Sequence, residues 1–427
     1  MEGVQNIPPN ADKGRMMKAK ARNGHFKKYF QFHEGGFALN FLCVLFCFVF
    51  ILILFSLFTF RLSLFSIQPT LPFLYAYEWK QAIEKRTWSF PKDHGSHPKY
   101  RTEWWYFTGN LKDETNKRYG YQLTFFRQGI EHPVTKDVKP TSNGNPWSVR
   151  DVYLGHFALV DVEKKHFWYI DRTSRKGPGL AHADTKTMDV HILNWSARMD
   201  NNTIFLYAMH GDMEINLELI PKKPVVLHGK NGLSKKGPAN GQSSYYYSFT
   251  DIKTSGTLKT PSNINTIRVK GTSWFDHEFG SNQLTSEQVG WDWFSIHLSD
   301  GRDVMVYIIR RKDGMIEAAS SGTLIEKNGS SRHLEMTDIK LDVLERWKSP
   351  KTIGLYPAKW RMKVPSSNID ITIYPSVANQ ELITASSTGV TYWEGAVEGQ
   401  GLSNGKPVSI VGYVELTGYA DSLEGLF

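Results

Sequence analysis

A chain of 427 residues with a net charge of +9, 41% hydrophobic, 22% charged and 13% aromatic residues is too apolar and too aromatic for a disordered protein. The basicity is uneven: residues 1–66 hold eight Lys and Arg against three Asp and Glu, and the remaining 361 residues hold 43 basic against 39 acidic side chains. So balanced a body lacks the basic footprint that nucleic-acid binding needs.

In chain order, a basic tail (1–36) comes first. The segment Phe37–Phe60 follows, with no charge and only Asn40, Ser56 and Thr59 plainly polar. As a helix it would extend roughly 36 Å at about 1.5 Å per residue, enough for a bilayer core of about 30 Å. A transmembrane helix over 37–60 is therefore expected. Seven Lys and Arg precede it, whereas Arg61 is alone in the stretch up to Lys80. That asymmetry predicts a cytoplasmic N-terminus and an extracytoplasmic body. A cleaved signal peptide would have a shorter apolar core, about 7–15 residues, and a small-x-small site. The run here is longer and the following Arg61-Leu-Ser-Leu-Phe-Ser is a poor site, so the anchor is expected to stay. The only cysteines, Cys43 and Cys47, fall inside it. Residues 61–427 thus have neither a disulfide framework nor a thiolate site.

Residues 61–92 read as a stalk, with Pro69, Pro72 and a short helical candidate around Tyr77–Lys85. From there the pattern is β: short runs rich in β-branched and aromatic residues, broken by Gly, Asn, Asp and Pro. The first set comprises Glu103–Gly109, Tyr119–Gln128, Val152–Val162, Met188–Trp195, Thr203–His210 and Met213–Ile220. After a loop dense in Gly and Lys (His228–Gln242) come Tyr245–Thr250, Thr254–Lys259 and Ile267–Phe275. The second set is Trp291–Leu298, Asp303–Arg310, Ile316–Ile325, Thr337–Trp347, Lys359–Val364, Ile369–Tyr374, Tyr392–Glu398 and Val408–Thr417. So many short strands predict antiparallel barrels or sandwiches. They exceed one small barrel of about eight strands, so the body divides near the polar stretch Ser281–Glu287 into 93–281 and 282–427.

Several chemistries can be set aside. Gly401–Lys406 lacks the Ser or Thr of a phosphate loop, and His277-Glu278 lacks the second His of a zincin helix. No dinucleotide fingerprint is present, and His94 and His97 in a loop read as hydrogen-bonded rather than metal-binding. Neither cofactor nor metal is expected. Oligomeric state is not legible.

Polar groups crowd beside tryptophan at two places. One is His94-Gly-Ser-His97-Pro followed by Arg101-Thr-Glu103-Trp104-Trp105-Tyr106-Phe107. The other is Trp274-Phe-Asp276-His277-Glu278 followed by Gly290-Trp291-Asp292-Trp293-Phe294. Glu103 reads as part of a barrel-closing strand with a buried ion pair to Arg101 or Arg127. Along a strand, Asp276 and Glu278 share one face, and Phe275, His277 and Phe279 the other. The Asp276–Glu278 face reads first as a polar seam joining the two halves, then as a ligand pocket, then as a catalytic centre.

These stretches, with Tyr119-Gly-Tyr-Gln-Leu-Thr-Phe-Phe-Arg127, Tyr392-Trp-Glu-Gly-Ala-Val397 and Gly412-Tyr-Val-Glu-Leu-Thr-Gly-Tyr419, resemble the hydroxyneurosporene synthase (carotenoid 1,2-hydratase) family and its branch of predicted secreted hydrolases. The resemblance runs from about His94 to the C-terminus. It implies two lipocalin-like antiparallel β-barrels in tandem and a long apolar ligand. Tyr106-Phe-Thr-Gly109 and Phe126-Arg-Gln-Gly129 depart from the carotenoid hydratases' own patterns, which points away from a carotenoid.

Hydration of an unactivated C=C bond needs a carboxyl whose pKa burial has raised, and electron-rich rings beside the cation. Asp276, His277, Glu278 and Asp292 are the candidate acids and bases. Trp104, Trp105, Tyr106, Trp274, Trp291 and Trp293 are the candidate ligand walls. The expected function is a membrane-anchored, extracytoplasmic protein binding a long apolar or amphipathic molecule inside a barrel. The alternative is a hydro-lyase or isomerase acting on a polyene or terpenoid.

Overall fold

The computed structural model describes residues 79–130, 149–282 and 284–423. The expected tail and anchor, Phe37–Phe60 included, lie outside the described residues. Among the described residues no helix is long and apolar enough to cross a membrane.

Two antiparallel sheets follow one another along the chain. The first contains β1 (Thr102–Asp113), β2 (Arg118–Gly129), β3 (Asp151–Asp161), β4 (His166–Arg175), β5 (Ala181–Ala183), β6 (Asp189–Ile192), β7 (Trp195–Asp200), β8 (Thr203–His210), β9 (Met213–Pro221), β10 (Val226–Leu227), β11 (Leu233–Lys235), β12 (Ser243–Thr260) and β13 (Asn263–Asn282). The second contains β14 (Gln288–Leu298), β15 (Asp303–Arg311), β16 (Ser321–Ile325), β17 (Ser331–Glu335), β18 (Lys340–Lys348), β19 (Leu355–Val364), β20 (Ile369–Pro375), β21 (Glu381–Ile383), β22 (Thr391–Ser403) and β23 (Lys406–Thr417). Both share one plan, in which the first strand pairs with the last: β1 with β13, and β14 with β23. Each sheet is thereby curled, barrel-like, around its own core.

Strand alternation builds those cores. On β1, Trp105, Phe107 and Leu111 turn into the first sheet and pack with Tyr121, Phe125, Phe157 and Trp195. In the second sheet Phe294, Trp360, Trp393 and Leu416 do the same. The opposite face of β1 is also apolar: Tyr106 joins Trp274, Trp293, Tyr307 and Tyr413 in a third core, which lies between the sheets.

The strands differ from expectation in instructive ways. Tyr245–Thr250 and Thr254–Lys259 form one strand, β12, bent by a register shift between Phe249 and Ile252 that reads in sequence as a break. β4 was not among the predicted runs: its mixture of His, Asp, Arg and aromatic residues sits at the sheet edge, mostly half-buried, where alternation is weakest. The helical candidate at 77–85 is not a helix over its described part. Residues 79–88 form no helix and lie along the first sheet. The Tyr245 hydroxyl donates to the Glu84 carbonyl at 2.7 Å, and Ser243 Oγ donates to the carbonyl of buried Ala82. Long-range partners satisfy the carbonyls that a helix would have used.

Candidate functional site

The strand β13 sorts the Trp274–Glu278 motif onto two faces. Phe275, His277 and Phe279 point into the first sheet, while Trp274, Asp276 and Glu278 face the second. The second sheet answers with alternate residues of β14, β22 and β23: Trp291 and Trp293, then Tyr392 and Glu394, then Glu415 and Thr417. Between the two faces is a cavity. Among its lining residues are Trp104, Tyr106, Phe126, Tyr246, Asp276 and Glu278 from the first sheet, and Trp291, Trp293, Tyr307, Tyr392 and Glu415 from the second. The interior of each sheet is filled by its own apolar side chains. Among the described residues this cavity therefore lies between the barrels rather than inside one.

Asp276 is the best-held acid on this wall. Its side chain is buried and takes three neutral donors: Tyr246 Oη at 2.6 Å, Trp274 Nε1 at 2.6 Å, and Ser248 Oγ. Burial pushes its pKa up to about 7, against the lowering effect of those hydrogen bonds and with the Glu278 charge adding to the rise. Tyr246 Oη also accepts from Trp293 Nε1 at 3.0 Å. When Asp276 is protonated and donates to the same oxygen, the Tyr246 hydroxyl hydrogen is left to face the cavity.

The other carboxylates of this face differ in their partners. Glu278 is ion-paired with Lys236 Nζ at 2.9 Å and accepts from Ser244 Oγ. Lys236 lies 4.2 Å from the centre of the Tyr307 ring. Burial lowers its affinity for a proton, but the Glu278 charge and hydrogen bond together with Tyr307 and Asp276 outweigh this and leave its pKa raised. Glu415, paired in register with Glu394, is raised to about 7 by burial. Glu394 accepts from the Tyr106 hydroxyl, and burial together with the Glu415 charge holds its pKa well above the carboxylate range. Its Oε2 is buried without a partner.

Not every expected residue meets this cavity. His277 lies on the far face of β13, where Nε2 bonds Glu103 Oε1 at 3.0 Å, Nδ1 bonds Tyr247 Oη at 3.0 Å, and the ring stacks on Trp105. Trp105 is likewise inside the first sheet, its Nε1 donating to the His94 carbonyl. Asp292 turns into the second sheet, where Arg310 Nε at 2.9 Å and Tyr419 Oη at 3.0 Å hold it. In all three cases the odd–even step along the strand puts the side chain on the wrong face for the cavity. Trp274 reaches it only through Asp276.

Glu103 pairs with Arg127 Nε at 3.1 Å, one of the two pairings the sequence allowed. His97, Glu103 and His277 bring ligand-type atoms within 4.8 Å of one another. Those atoms are spent on each other: His97 Nδ1 lies 2.8 Å from Glu103 Oε1, and a cation there would meet the Arg127 guanidinium.

Tyr246, Lys236, His156, Tyr392 and Glu415 were not singled out from sequence. Strand parity could have found two of them. Trp393 and Val414 are core residues of the second sheet, so Tyr392 and Glu415, their immediate neighbours, must face the other way. His156 and Lys236 give no such signal.

The AttH-like family model matches residues 81–419. The chain belongs to the AttH-like family. An AttH protein assigned in Nitrosomonas europaea superposes with a TM-score of 0.70 at 30% identity, covering 80% of this chain and 99% of that one. Kievitone hydratase from Nectria haematococca superposes with a TM-score of 0.59 at 15% identity, covering 80% of this chain and 98% of that one; at that identity the likeness is one of fold. No curated protein matches the chain in sequence. The AttH-like assignment agrees with the resemblance read from the Trp-rich motifs: a lipocalin-like, carotenoid-hydratase-related family.

Proposed function

We propose that the cavity between the two sheets binds an apolar, unsaturated small molecule and that Asp276, through Tyr246, protonates its C=C bond in a hydration or a double-bond isomerisation. The observation that carries this reading is a buried carboxyl of pKa about 7 set in a largely aromatic chamber. Such a group still holds its proton near neutral pH and can release it. Trp104, Trp291 and Trp293 offer ring faces to the cation that protonation creates. Burial and neutral donors are an arrangement suited to an acid, whereas a purely structural carboxylate is better served by a cation. Binding without turnover is the second reading, favoured by the apolar character of the walls.

In the same proposal the segment Phe37–Phe60 anchors the chain, N-terminus inside, and keeps the cavity near the lipid phase from which an apolar molecule would come. Reporters fused after Gly35 and after Gln68 should give opposite topologies. A mature chain beginning beyond Arg61 would refute the anchor.

The test of chemistry uses the full chain extracted in mild detergent from its own cells. Native mass spectrometry should show a co-purifying lipid-like mass. Incubation in water enriched in deuterium or oxygen-18 should then label that molecule, with oxygen for a hydration and deuterium alone for an isomerisation. Asp276→Asn should abolish labelling while retaining the molecule. Retention with no label in the wild type selects the binding reading, and a consistently empty chain rejects both.

A further inference from the structure

A second polar chain opens onto the same cavity and is not explained by Asp276. Tyr392 on β22 lines the cavity, and its hydroxyl lies 2.6 Å from His156 Nδ1 on β3. His156 Nε2 lies 2.9 Å from Ser387 Oγ, in the loop that precedes β22. Ser387 Oγ in turn donates to Asp171 Oδ2 on β4 at 2.8 Å. His156 and Asp171 are register partners on neighbouring strands. The chain thus alternates between the sheets: two members from the first and two from the second. Asp171 is only half-buried, so the four groups run from the cavity to the solvent side.

The directions of the hydrogen bonds are fixed from the outer end. Carboxylate oxygens accept, so Ser387 gives its single proton to Asp171 and can only accept from His156. His156 therefore carries its proton on Nε2 and presents the Nδ1 lone pair to the Tyr392 hydroxyl. Tyr392 Oη in turn accepts from Gln122 Nε2 at 3.2 Å. Gln122 also lines the cavity, and its Oε1 is buried without a partner. Burial pulls the His156 pKa down to about 3 and holds Tyr392 well above the phenol range. Neither an imidazolium nor a phenolate accumulates, and a proton can pass only by concerted transfer along a neutral chain.

We propose that Tyr392 is the base of this cavity, relaying the proton it takes through His156 and Ser387 to Asp171. The inference rests on the acid role given to Asp276. Once Asp276, by way of Tyr246, has protonated one carbon of the double bond, the cation must lose a proton, from the adjacent carbon or from an added water. That C–H or O–H bond breaks as a new O–H bond forms at Tyr392 Oη. The original Tyr392 proton moves to His156 Nδ1, the Nε2 proton to Ser387 Oγ, and the Ser387 proton to Asp171 Oδ2. Asp276 ends as a carboxylate, Asp171 as a carboxylic acid and His156 with its proton on Nδ1; exchange with water resets the two carboxyls and, at the cavity that His156 also lines, the imidazole tautomer. The reactants are the unsaturated molecule and water alone. Tyr392 touches the substrate space and is catalytic; Ser387 and Asp171 are positioning residues.

Two measurements on the detergent-solubilised full chain test this separately. The first needs no substrate: nitrogen NMR of histidine-labelled protein, with the His156 signals assigned by their loss in His156→Gln. The expected ring is neutral from pH 5 to 9 with its proton on Nε2. Ser387→Ala should release that tautomer, and Ser387→Thr should restore it. A proton on Nδ1, or an imidazolium in that range, overturns the relay. The second measurement follows deuterium from heavy water into the co-purified molecule. Tyr392→Phe should cut incorporation at least 100-fold with the molecule still bound, and Ser387→Ala and Asp171→Asn about tenfold each. Unchanged incorporation in Tyr392→Phe overturns the proposal. A wild-type chain that incorporates nothing removes the acid role of Asp276 and with it the catalytic role of Tyr392; the nitrogen shifts then decide whether the hydrogen-bond chain itself is as described.

Discussion

Glu103 and Asp276 lie on paired strands of the first sheet, both buried, yet their carboxyl groups behave in opposite ways. Burial penalises each. Glu103 is nevertheless held well below its ordinary pKa, because His277 and His97 hydrogen-bond to it and the Arg127 charge lies beside it. Asp276 meets only Ser248, Tyr246 and Trp274, neutral donors that do not offset the loss of water, and it rises to about 7. The difference lies in a guanidinium among the Glu103 donors and in their number: Ser96 Oγ, the His97 N–H, His97 Nδ1, His277 Nε2 and Arg127 Nε, against three on Asp276. A carboxylate matched by a guanidinium is a rivet; one matched by hydroxyls and an indole keeps a proton near neutral pH and is available for chemistry.

Removing the rivet should have the largest effect. Glu103→Ala leaves Arg127 with Asp151, at 3.0 Å, as its one carboxylate beside the His97 and Tyr100 carbonyls, and leaves the His97 and His277 rings short of an acceptor. A loss of about 3–5 kcal/mol is expected, as for other broken buried pairs, measured by urea denaturation of the detergent-solubilised chain. A cost below about 1 kcal/mol would place Glu103 among ordinary surface pairs and dissolve the contrast.

The two carboxyls should also bend the pH dependence of stability in opposite senses. Glu103 has a depressed folded pKa, so its stabilisation is full above the unfolded value and fades as pH falls through the folded one. Asp276 has a raised folded pKa, so the native state holds an extra proton between roughly pH 4 and 7. Its contribution is present at low pH and is lost as pH rises through about 7. Asp276→Asn should therefore gain on the wild type across that window, on the order of 1.4 kcal/mol per pH unit at most, and run parallel above it. Paired melting curves from pH 4 to 9 check this. Constant separation would mean that Asp276 is an anion throughout.

Smaller effects sharpen the division between structure and site. Trp291 is half-buried on the cavity wall. Trp291→Leu should weaken retention of the co-purified molecule about tenfold, roughly 1.4 kcal/mol, while shifting the melting point less than Glu103→Ala does. The smallest expected effect is none: residues 61–427 contain no cysteine, so reductant should move neither the Glu103 network nor the Asp276 one.

The sequence by itself determined the all-β class and the two sets of strands. It also determined the parity of the Trp274–Glu278 motif and a buried partner for Glu103. These are local properties, set by side-chain alternation and by the residues that interrupt strands. What only the tertiary structure decided is where space is left. Both faces of β1 carry buried aromatic residues, Trp105 and Phe107 on one and Tyr106 on the other, so alternation cannot say which encloses a core and which a cavity; that depends on how two curved, already filled sheets meet. The same meeting joins His156 to Tyr392, 236 residues apart in the chain, while the pairing of β11, β12 and β13 within the first sheet brings Lys236 from a loop to Glu278. A histidine in a strand or a lysine in a loop has no partner until tertiary pairing supplies one, and its protonation state is fixed only by the partner and the burial found there.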